Sequence, residues 1–249
     1  MEQEMVVGRN AVFEALSSGR PVSRIYVKIG IQGESVRKII AAAQDLQIPV
    51  DYVQVEKIDR MAPGMRHQGI AASMAPVAFS KLEEVLEKAY ASGEIPLLLL
   101  LDELQDPQNV GALIRSADAA GVHGVLLPKR RSCPLNMTVE KVSAGAVNYV
   151  PIVQIGNISQ TLERLKKVGF WVAGADIDGE TLYYETDLAR PLVLVIGSEG
   201  KGLNRLVREN CDMLMRIPMR GGVNSLNASA AGAILLYEAV RQRLQKVKK

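Results

Sequence analysis

The chain has 249 residues, of which 48% are hydrophobic and 23% are charged, so its composition is that of a globular protein with a buried core. This balance excludes disordered and fibrous proteins. The 30 Lys and Arg residues against 27 Asp and Glu residues give a formal net charge of +3, which permits nucleic-acid binding without arguing for it. Aromatic residues make up 4% of the chain, too few for the rows of stacking side chains used by non-specific single-strand binders.

The cysteines and histidines are too few and too far apart in the sequence to predict disulfide bonds or a metal site. Cys133 and Cys211 lie far apart, and His67 and His123 have no ligand spacing relative to them, so the sequence argues against a disulfide framework and a zinc site. The longest aliphatic run, residues 97–101, is far shorter than the roughly 18 apolar residues of a membrane span. We therefore expect a cytoplasmic protein without a metal.

The order of the predicted elements indicates two modules. Short helical and extended segments alternate through residues 8–74, which predicts a small αβ domain over residues 1–75. Its helix candidates are residues 10–16 and 35–46, and its strand candidates are residues 24–28, 50–55 and 69–74. Ala75-Pro76 and the charged stretch 81–88 predict a linker with a short helix over residues 76–93.

Residues 94–249 have the pattern of an α/β domain. Solidly apolar segments at residues 97–101, 125–127, 170–173 and 192–196 predict parallel strands that are buried on both faces. The helix candidates are residues 110–120, 139–146 and 158–167, followed by a long apolar helix over residues 228–244. Ligands of parallel sheets bind beyond the carboxyl ends of the strands, so the loops after these strands are the candidate functional segments.

The loop after the first of these strands leads into a helix that carries Asn109, Gly111 and Arg115. Pro107 suits the first turn of that helix. Asn109 and Arg115 are six residues apart, so they do not lie on one helical face, but they can flank one cavity. The alternative interpretation is a capped helix with a solvent-facing arginine.

A glycine-rich loop, Gly197-Ser-Glu-Gly-Lys-Gly202, directly follows the most apolar strand. Its glycines allow the backbone to approach a ligand closely. Lys201 is followed by Gly202 rather than by Ser or Thr, and the glycine spacing differs from the dinucleotide fingerprint, so neither nucleotide motif matches. A plain glycine-rich turn is the alternative, although it leaves Glu199 unexplained.

A third segment runs from Ile217 through Met219 to the start of the long apolar helix. Four polar residues crowd this helix start, namely Asn224, Ser225, Asn227 and Ser229. Ser225 or Asn227 could be a helix cap, yet four such residues are more than a cap requires. The small residues over 228–233 would allow another helix to pack closely.

Together the three segments resemble the SpoU, or TrmH-type, family of RNA ribose 2′-O-methyltransferases. The matching motifs, in order over residues 100–240, are Asn109-x-Gly111-x-x-x-Arg115, Ile196-Gly197-Ser-Glu199-Gly200-x-Gly202, and Ile217-Pro218-Met219 with Ser225-Leu226-Asn227. The first module, with Arg66-His-Gln-Gly-Ile70 near its end, is similar to the ribosomal-protein-like RNA-binding domain of the branch that modifies ribosomal RNA.

This resemblance implies a SPOUT-type deep trefoil knot in the α/β domain, an obligate homodimer, and S-adenosyl-L-methionine as cofactor without a metal. The implied substrate is a ribose 2′-hydroxyl of RNA, that of a guanosine in large-subunit (23S) ribosomal RNA. The implied cofactor-binding residues are Gly197, Gly202, Ile217, Met219 and Leu226. The implied catalytic residues are Arg115, Asn109, Glu199, Ser225 and Asn227, with Arg115 acting across the dimer interface.

Two roles for Arg115 stay open. Because the pKa of arginine exceeds about 12, a role as base requires a dry site that removes its proton, whereas a charged arginine stabilises the developing alkoxide or anchors a phosphate at lower cost. Glu199 would orient the arginine or bind the nucleoside, and Asn109 and Asn227 would hold ligand groups. The rival classes are a non-catalytic RNA-binding scaffold and a nucleotide-dependent oxidoreductase or ATPase.

Overall fold

The computed structural model describes residues 5–17, 21–75 and 77–247, and the chain divides into two compact units between Val77 and Ala78. The first unit has a four-stranded mixed sheet in the order β1-β4-β2-β3. Its strands are β1 (Met5–Val7), β2 (Val22–Lys28), β3 (Val50–Val53) and β4 (Ile70–Met74), and its helices are α1 (Arg9–Ser17), α2 (Glu34–Asp45) and α3 (Val55–Met61). Strand β4 is antiparallel to β1 and β2, and β3 is parallel to β2.

The two faces of this sheet are covered by different helices. Helices α1 and α2 bury Val12 and Ile39 against Ile25 and Ile70 on one face. On the other face, α3 buries Ile58 in a smaller cluster with strand residues. Because β4 is covered on both sides, all five of its residues are buried, and four of them are apolar; the exception, Ser73, is hydrogen-bonded to Ser23.

The second unit is built on an eight-stranded sheet in the order β10-β12-β9-β11-β6-β7-β8-β5, in which every neighbouring pair is parallel. The strands are β5 (Phe79–Ser80), β6 (Leu97–Leu101), β7 (Gly124–Pro128), β8 (Ile152–Ile155), β9 (Trp171–Ala175), β10 (Thr181–Leu182), β11 (Leu192–Ile196) and β12 (Met213–Arg216). The helices are α4 (Leu82–Ala91), α5 (Pro107–Ala119), α6 (Met137–Val142), α7 (Ile158–Lys167), α8 (Arg205–Glu209) and α9 (Ala228–Val247).

Strands β6 and β11 lie side by side in the middle of this sheet, and every residue of both is buried. This arrangement confirms the predicted α/β class with a parallel sheet and a smaller N-terminal αβ unit. The trefoil knot stays a prediction. Among the described residues, no helix is both long and apolar enough to cross a bilayer.

The segment expected to be a linker belongs to the second unit from residue 78 onward. Strand β5 pairs with β8, and α4 buries Leu82 and Val85 in the same core as Leu98 and Leu126. The charges of this segment occupy the exposed face of an amphipathic helix, whose apolar positions at 82, 85 and 89 follow helical spacing. Residue 76 lies outside the described residues.

The helix predicted over residues 139–146 also needs correction, because α6 ends at Val142. Ala144 and Gly145 have left-handed backbones, with φ of 52° and 84°, which a helix cannot continue through. A single 3-10 turn, Ala146–Asn148, follows them.

Arg243 of α9 closes the amino-terminal edge of the sheet. Its guanidinium donates to the carbonyl oxygens of Ile95 (2.5 Å), Arg190 (2.9 Å) and Pro96 (3.1 Å), and its Nε donates to that of Leu188 (3.4 Å). Burial lowers the pKa of Arg243 to about 10. The end of α9 is thereby fastened to the segments that precede β6 and β11.

Candidate active site

The first polar segment begins with a capped helix. The Asp106 carboxylate accepts hydrogen bonds from the backbone N–H groups of Gln108 (3.2 Å) and Asn109 (3.3 Å), and Pro107 occupies the first turn. The cap holds Asn109 at the carboxyl end of β6, and only 3% of the surface of Asn109 is exposed to solvent. An amide side chain buried to this degree requires polar partners.

The glycine-rich loop after β11 closes on itself. The backbone N–H of Ser198 donates to Gly202 O (3.1 Å), and the N–H of Gly202 donates to Ser198 O (2.9 Å). A Cβ atom at residue 197 would lie 2.3 Å from the Gly202 carbonyl carbon, so this closure requires glycine there. Gly200 and Gly202 have φ of 78° and 64°, and the resulting tight turn presents Glu199.

Glu199 joins the three polar segments through one carboxylate oxygen. Its Oε1 accepts from Asn227 Nδ2 (2.7 Å), Asn109 Nδ2 (3.0 Å) and the backbone N–H of Ala228 (3.4 Å). Asn227 Nδ2 also donates to Asn109 Oδ1 at 2.8 Å, and Asn109 Nδ2 also donates to Asp106 Oδ2 at 2.9 Å. No described residue donates to Glu199 Oε2, so this oxygen is available to a ligand.

Asn227 is a helix cap and a member of this network at the same time. Its Oδ1 accepts from the Ser229 hydroxyl (2.6 Å) and from the backbone N–H groups of Ser229 (2.9 Å) and Ala230 (3.3 Å). The cap fixes the amide plane and directs Nδ2 toward Glu199 and Asn109. The helix-cap interpretation is therefore confirmed for Asn227, and its catalytic role stays a prediction.

Asp102 holds the glycine-rich loop in place and was not among the predicted site residues. It follows β6, is fully buried, and accepts from the backbone N–H (2.7 Å) and the Nδ2 (2.9 Å) of Asn204. Burial raises the pKa of Asp102, and the two hydrogen bonds from Asn204 oppose this rise. An aspartate directly after an all-apolar strand was the signal for this role in the sequence.

A cleft of about 1070 Å³ opens beside this network, at the carboxyl edge of the sheet. Its walls are the glycine-rich loop, the loop after β9, the end of β12 and the segment that leads into α9. The predicted site residues that line it are Gly197, Glu199, Gly202, Ile217, Met219, Ser225, Leu226 and Asn227. Both apolar side chains and exposed backbone therefore face one cavity of ligand size.

Two of the five predicted catalytic residues do not join the network. Arg115 lies on α5 about 9 Å along the helix axis from Asn109, is exposed, and does not line the cleft. No described residue accepts a hydrogen bond from its guanidinium. Ser225 lines the cleft, but its hydroxyl bonds to no described side chain. Within the described ranges, no group of three or more His, Cys, Asp or Glu side chains could hold a metal ion.

Comparisons with known proteins match both units. The SpoU rRNA Methylase family matches residues 96–237, and the family "RNA 2'-O ribose methyltransferase substrate binding" matches residues 5–80. Two relatives are named as TrmH family tRNA/rRNA methyltransferases, and each is 41% identical to this chain. The match to the Staphylococcus haemolyticus protein covers 98% of both chains, and the match to the Bacillus subtilis protein covers 97% of both chains. The crystal structure of the SpoU methyltransferase AviRb from Streptomyces viridochromogenes with AdoMet superimposes with a TM-score of 0.73, at 25% identity over 98% of this chain and 91% of its own.

Proposed function

Because the chain belongs to the SpoU/TrmH family of S-adenosylmethionine-dependent RNA methyltransferases, we propose that it methylates a ribose 2′-hydroxyl of a guanosine in large-subunit (23S) ribosomal RNA. The observation that carries this proposal is the hydrogen-bonded convergence of Asn109, Glu199 and Asn227 beside one large cleft. A scaffold that binds RNA without catalysis has no need of such a cleft. Such a substrate also implies a cytoplasmic enzyme.

The cleft has the chemistry that S-adenosylmethionine requires. Ile217, Met219 and Leu226 supply apolar surface for an adenine ring, and the backbone of Gly197 to Gly202 supplies polar groups at close range. The carboxylate of Glu199 faces the same space and complements the positive charge of a sulfonium. When bound, the cofactor supplies an electrophilic methyl group, and the residues named here would hold it.

Arg115 completes the proposed site from a second copy of the chain. It lies outside the cleft of its own chain and has no hydrogen-bond partner among the described residues, so its guanidinium is available to a neighbouring protomer. In a homodimer it would reach the partner's cleft, where Glu199 Oε2 has an unused acceptor site. A charged guanidinium there stabilises negative charge on the 2′-oxygen as its proton passes to solvent and the methyl group leaves the sulfonium, and this role costs less than deprotonating an arginine.

The reaction requires little beyond positioning and charge stabilisation. The 2′-oxygen must approach the transferable methyl group in line, and fixed hydrogen-bonding groups reduce the entropy cost of that alignment. Asn109 and Asn227 are already immobilised by their contacts with each other and with Glu199. All four of their amide hydrogens are used in this network, so the two side chains fix the position of Glu199, and a ligand group that accepts from either amide would have to replace one of these hydrogen bonds.

Methylation of purified RNAs tests the proposal. We expect transfer of labelled methyl groups from S-adenosylmethionine to large-subunit rRNA, and resistance to alkaline cleavage at the modified nucleotide, because a 2′-O-methyl group blocks attack on the adjacent phosphate. If the methylated RNA gives an alkaline cleavage ladder with no missing band, the ribose assignment is wrong. Methylation of bulk tRNA instead of rRNA would overturn the substrate assignment.

Titration with S-adenosylhomocysteine, NAD and ATP tests the cofactor class, and S-adenosylhomocysteine alone should bind. Sedimentation at nanomolar to micromolar concentration tests the dimer. A monomer that is fully active would overturn the proposed action of Arg115 in a partner's cleft.

A further inference from the structure

The first unit has a cleft of its own. It has a volume of about 440 Å³ and lies between the turn after β2 and the segment before β4. Its lining residues are Arg9, Lys28, Ile29, Gly30, Ile31, Val55, His67, Gln68 and Gly69. We infer that this cleft binds one unpaired nucleotide of the RNA substrate, an inference that rests on the proposed function.

Two cations give this cleft its charge. The Arg9 guanidinium is held by bonds to Ser35 Oγ (3.3 Å) and Gln68 O (3.4 Å), so it is oriented without being neutralised. Lys28 is exposed at the end of β2. Among the described residues, no carboxylate lies within 4.0 Å of either cation. The cleft is therefore suited to a phosphate group.

The backbone adds donors to these cations. Gly30, Gln68 and Gly69 have φ of 77°, 52° and 77°, so the two loops that form the cleft turn sharply there. The backbone N–H groups of Gly30 and Gln68 donate to no described residue, while that of Gly69 donates to His67 Nδ1 at 3.0 Å. Unused amides in a cationic cleft are the kind of donors that bind phosphate oxygens in other proteins.

The remaining wall is apolar and suits the face of a base. Ile29 is 50% exposed, and Ile31 and Val55 continue the same surface. The His67 ring is fixed by Gly69 N–H on one nitrogen and by Asp59 Oδ1, 2.9 Å from the other. A cavity of this volume does not admit a double helix, whereas a nucleotide splayed out of an RNA loop can enter it.

A charge reversal with a matched control tests the cleft. Lys28→Glu should weaken binding of the full-length protein to a labelled rRNA fragment about tenfold. The slope of log affinity against log salt concentration should fall by an amount that corresponds to about one phosphate contact. The control is Lys38→Glu, which makes the same charge change on the exposed surface of α2, where Lys38 pairs with Glu34 at 2.8 Å. It should change the dissociation constant less than twofold. Thermal melting checks that both variants are folded.

Enzyme kinetics and cross-linking separate this inference from the proposed function. Lys28→Glu should raise the KM for RNA and leave kcat and S-adenosylhomocysteine affinity unchanged. RNA that carries 4-thiouridine should cross-link within residues 28–31 or 67–69. Equal weakening by the two variants, or cross-links confined to other segments, would overturn the cleft as a nucleotide site. Absence of methylation by the wild-type protein would instead overturn the proposed function, since RNA binding is measured independently.

Discussion

The two edges of the large sheet fasten the same elements in different ways. At the amino edge, the donors of Arg243 go to backbone carbonyl oxygens beside β6 and β11, and the guanidinium is partly buried. At the carboxyl edge, Glu199 links α5, the loop after β11 and α9 through one oxygen and leaves the other to a cleft. Satisfied polar clusters stabilise, and a partly satisfied one is ready for a ligand. Stability and chemistry should therefore respond to different substitutions.

The largest effect is expected at the carboxyl edge. Arg115→Ala should lower kcat by about 10²–10³, because it removes a positive charge from the developing oxyanion. Affinity for S-adenosylhomocysteine and the free energy of unfolding should stay near wild type, since the side chain is exposed on its own chain and does not line that chain's cleft.

Arg115→Lys serves as the conservative control and is measured by single-turnover methylation. It should recover little activity, because lysine does not reproduce the planar fork of the guanidinium. Near-normal turnover of the lysine variant would contradict the role given to Arg115.

The reverse pattern is expected at the amino edge. Arg243→Met should lower the free energy of unfolding by about 2–4 kcal/mol, because partly buried carbonyl oxygens at this edge each lose a donor. Its activity per folded molecule should stay within about twofold of wild type, since the site lies at the other end of the strands. Urea denaturation gives the first quantity, and initial rates below the transition give the second.

Arg205→Met is the matched control for that substitution. Arg205 is exposed and pairs with Glu209 on α8, so its removal should change stability by no more than about 0.5 kcal/mol. Equal destabilisation by the two substitutions would show that the contacts of Arg243 at the amino edge stabilise the fold no more than a surface ion pair does.

An intermediate effect is expected at Asp102, which is buried but serves the loop at the carboxyl edge. Asp102→Ala should raise the dissociation constant for S-adenosylhomocysteine about tenfold, because Asn204 loses its acceptor and the glycine-rich loop loosens. Asp102→Asn keeps one acceptor and should fall between wild type and the alanine variant. Calorimetric titration measures both, and unchanged affinity in the alanine variant would show that the loop holds its shape unaided.

The smallest effect concerns the two thiols. Burial raises the pKa of Cys133 to about 11 and that of Cys211 to about 12, so at pH 8 the thiolate fraction of each is about 10⁻³ or less. Alkylation of the folded protein should be slow at pH 8, should accelerate as pH rises toward these values, and should be fast in denaturant. Rapid labelling at pH 8 would mean that the packing around these two thiols opens to solvent.

The sequence predicted the elements whose pattern is local. Strands β6 and β11 have the predicted bounds, 97–101 and 192–196, because unbroken Leu and Val runs mark strands buried on both faces. Helix α7 also begins and ends as predicted. Strands β8 and β10 were missed because they have only four and two residues, which is too short to show the alternating pattern of a strand.

Contacts that depend on strand order were beyond the sequence. Asp102 and Asn204 are 102 positions apart and meet because β6 and β11 are neighbours in the sheet, which periodicity does not specify. The same holds for Asn109 and Asn227, which are 118 positions apart. The family motifs nominated Asn109, Glu199 and Asn227, but the hydrogen bonds among them required the fold. A shortened chain that begins at residue 94, the expected end of the linker, would lose α4 from its core.

The double duty of Asn227 makes the site vulnerable to chemical ageing. Deamidation would convert its side chain to a carboxylate that still accepts from Ser229 and still begins α9, so the circular dichroism spectrum and the melting curve would hardly change. The same conversion would replace the donor that Glu199 and Asn109 share with a second negative charge. The fraction of catalytically active molecules in a stored preparation would then fall, although the protein would stay folded and its mass would hardly change.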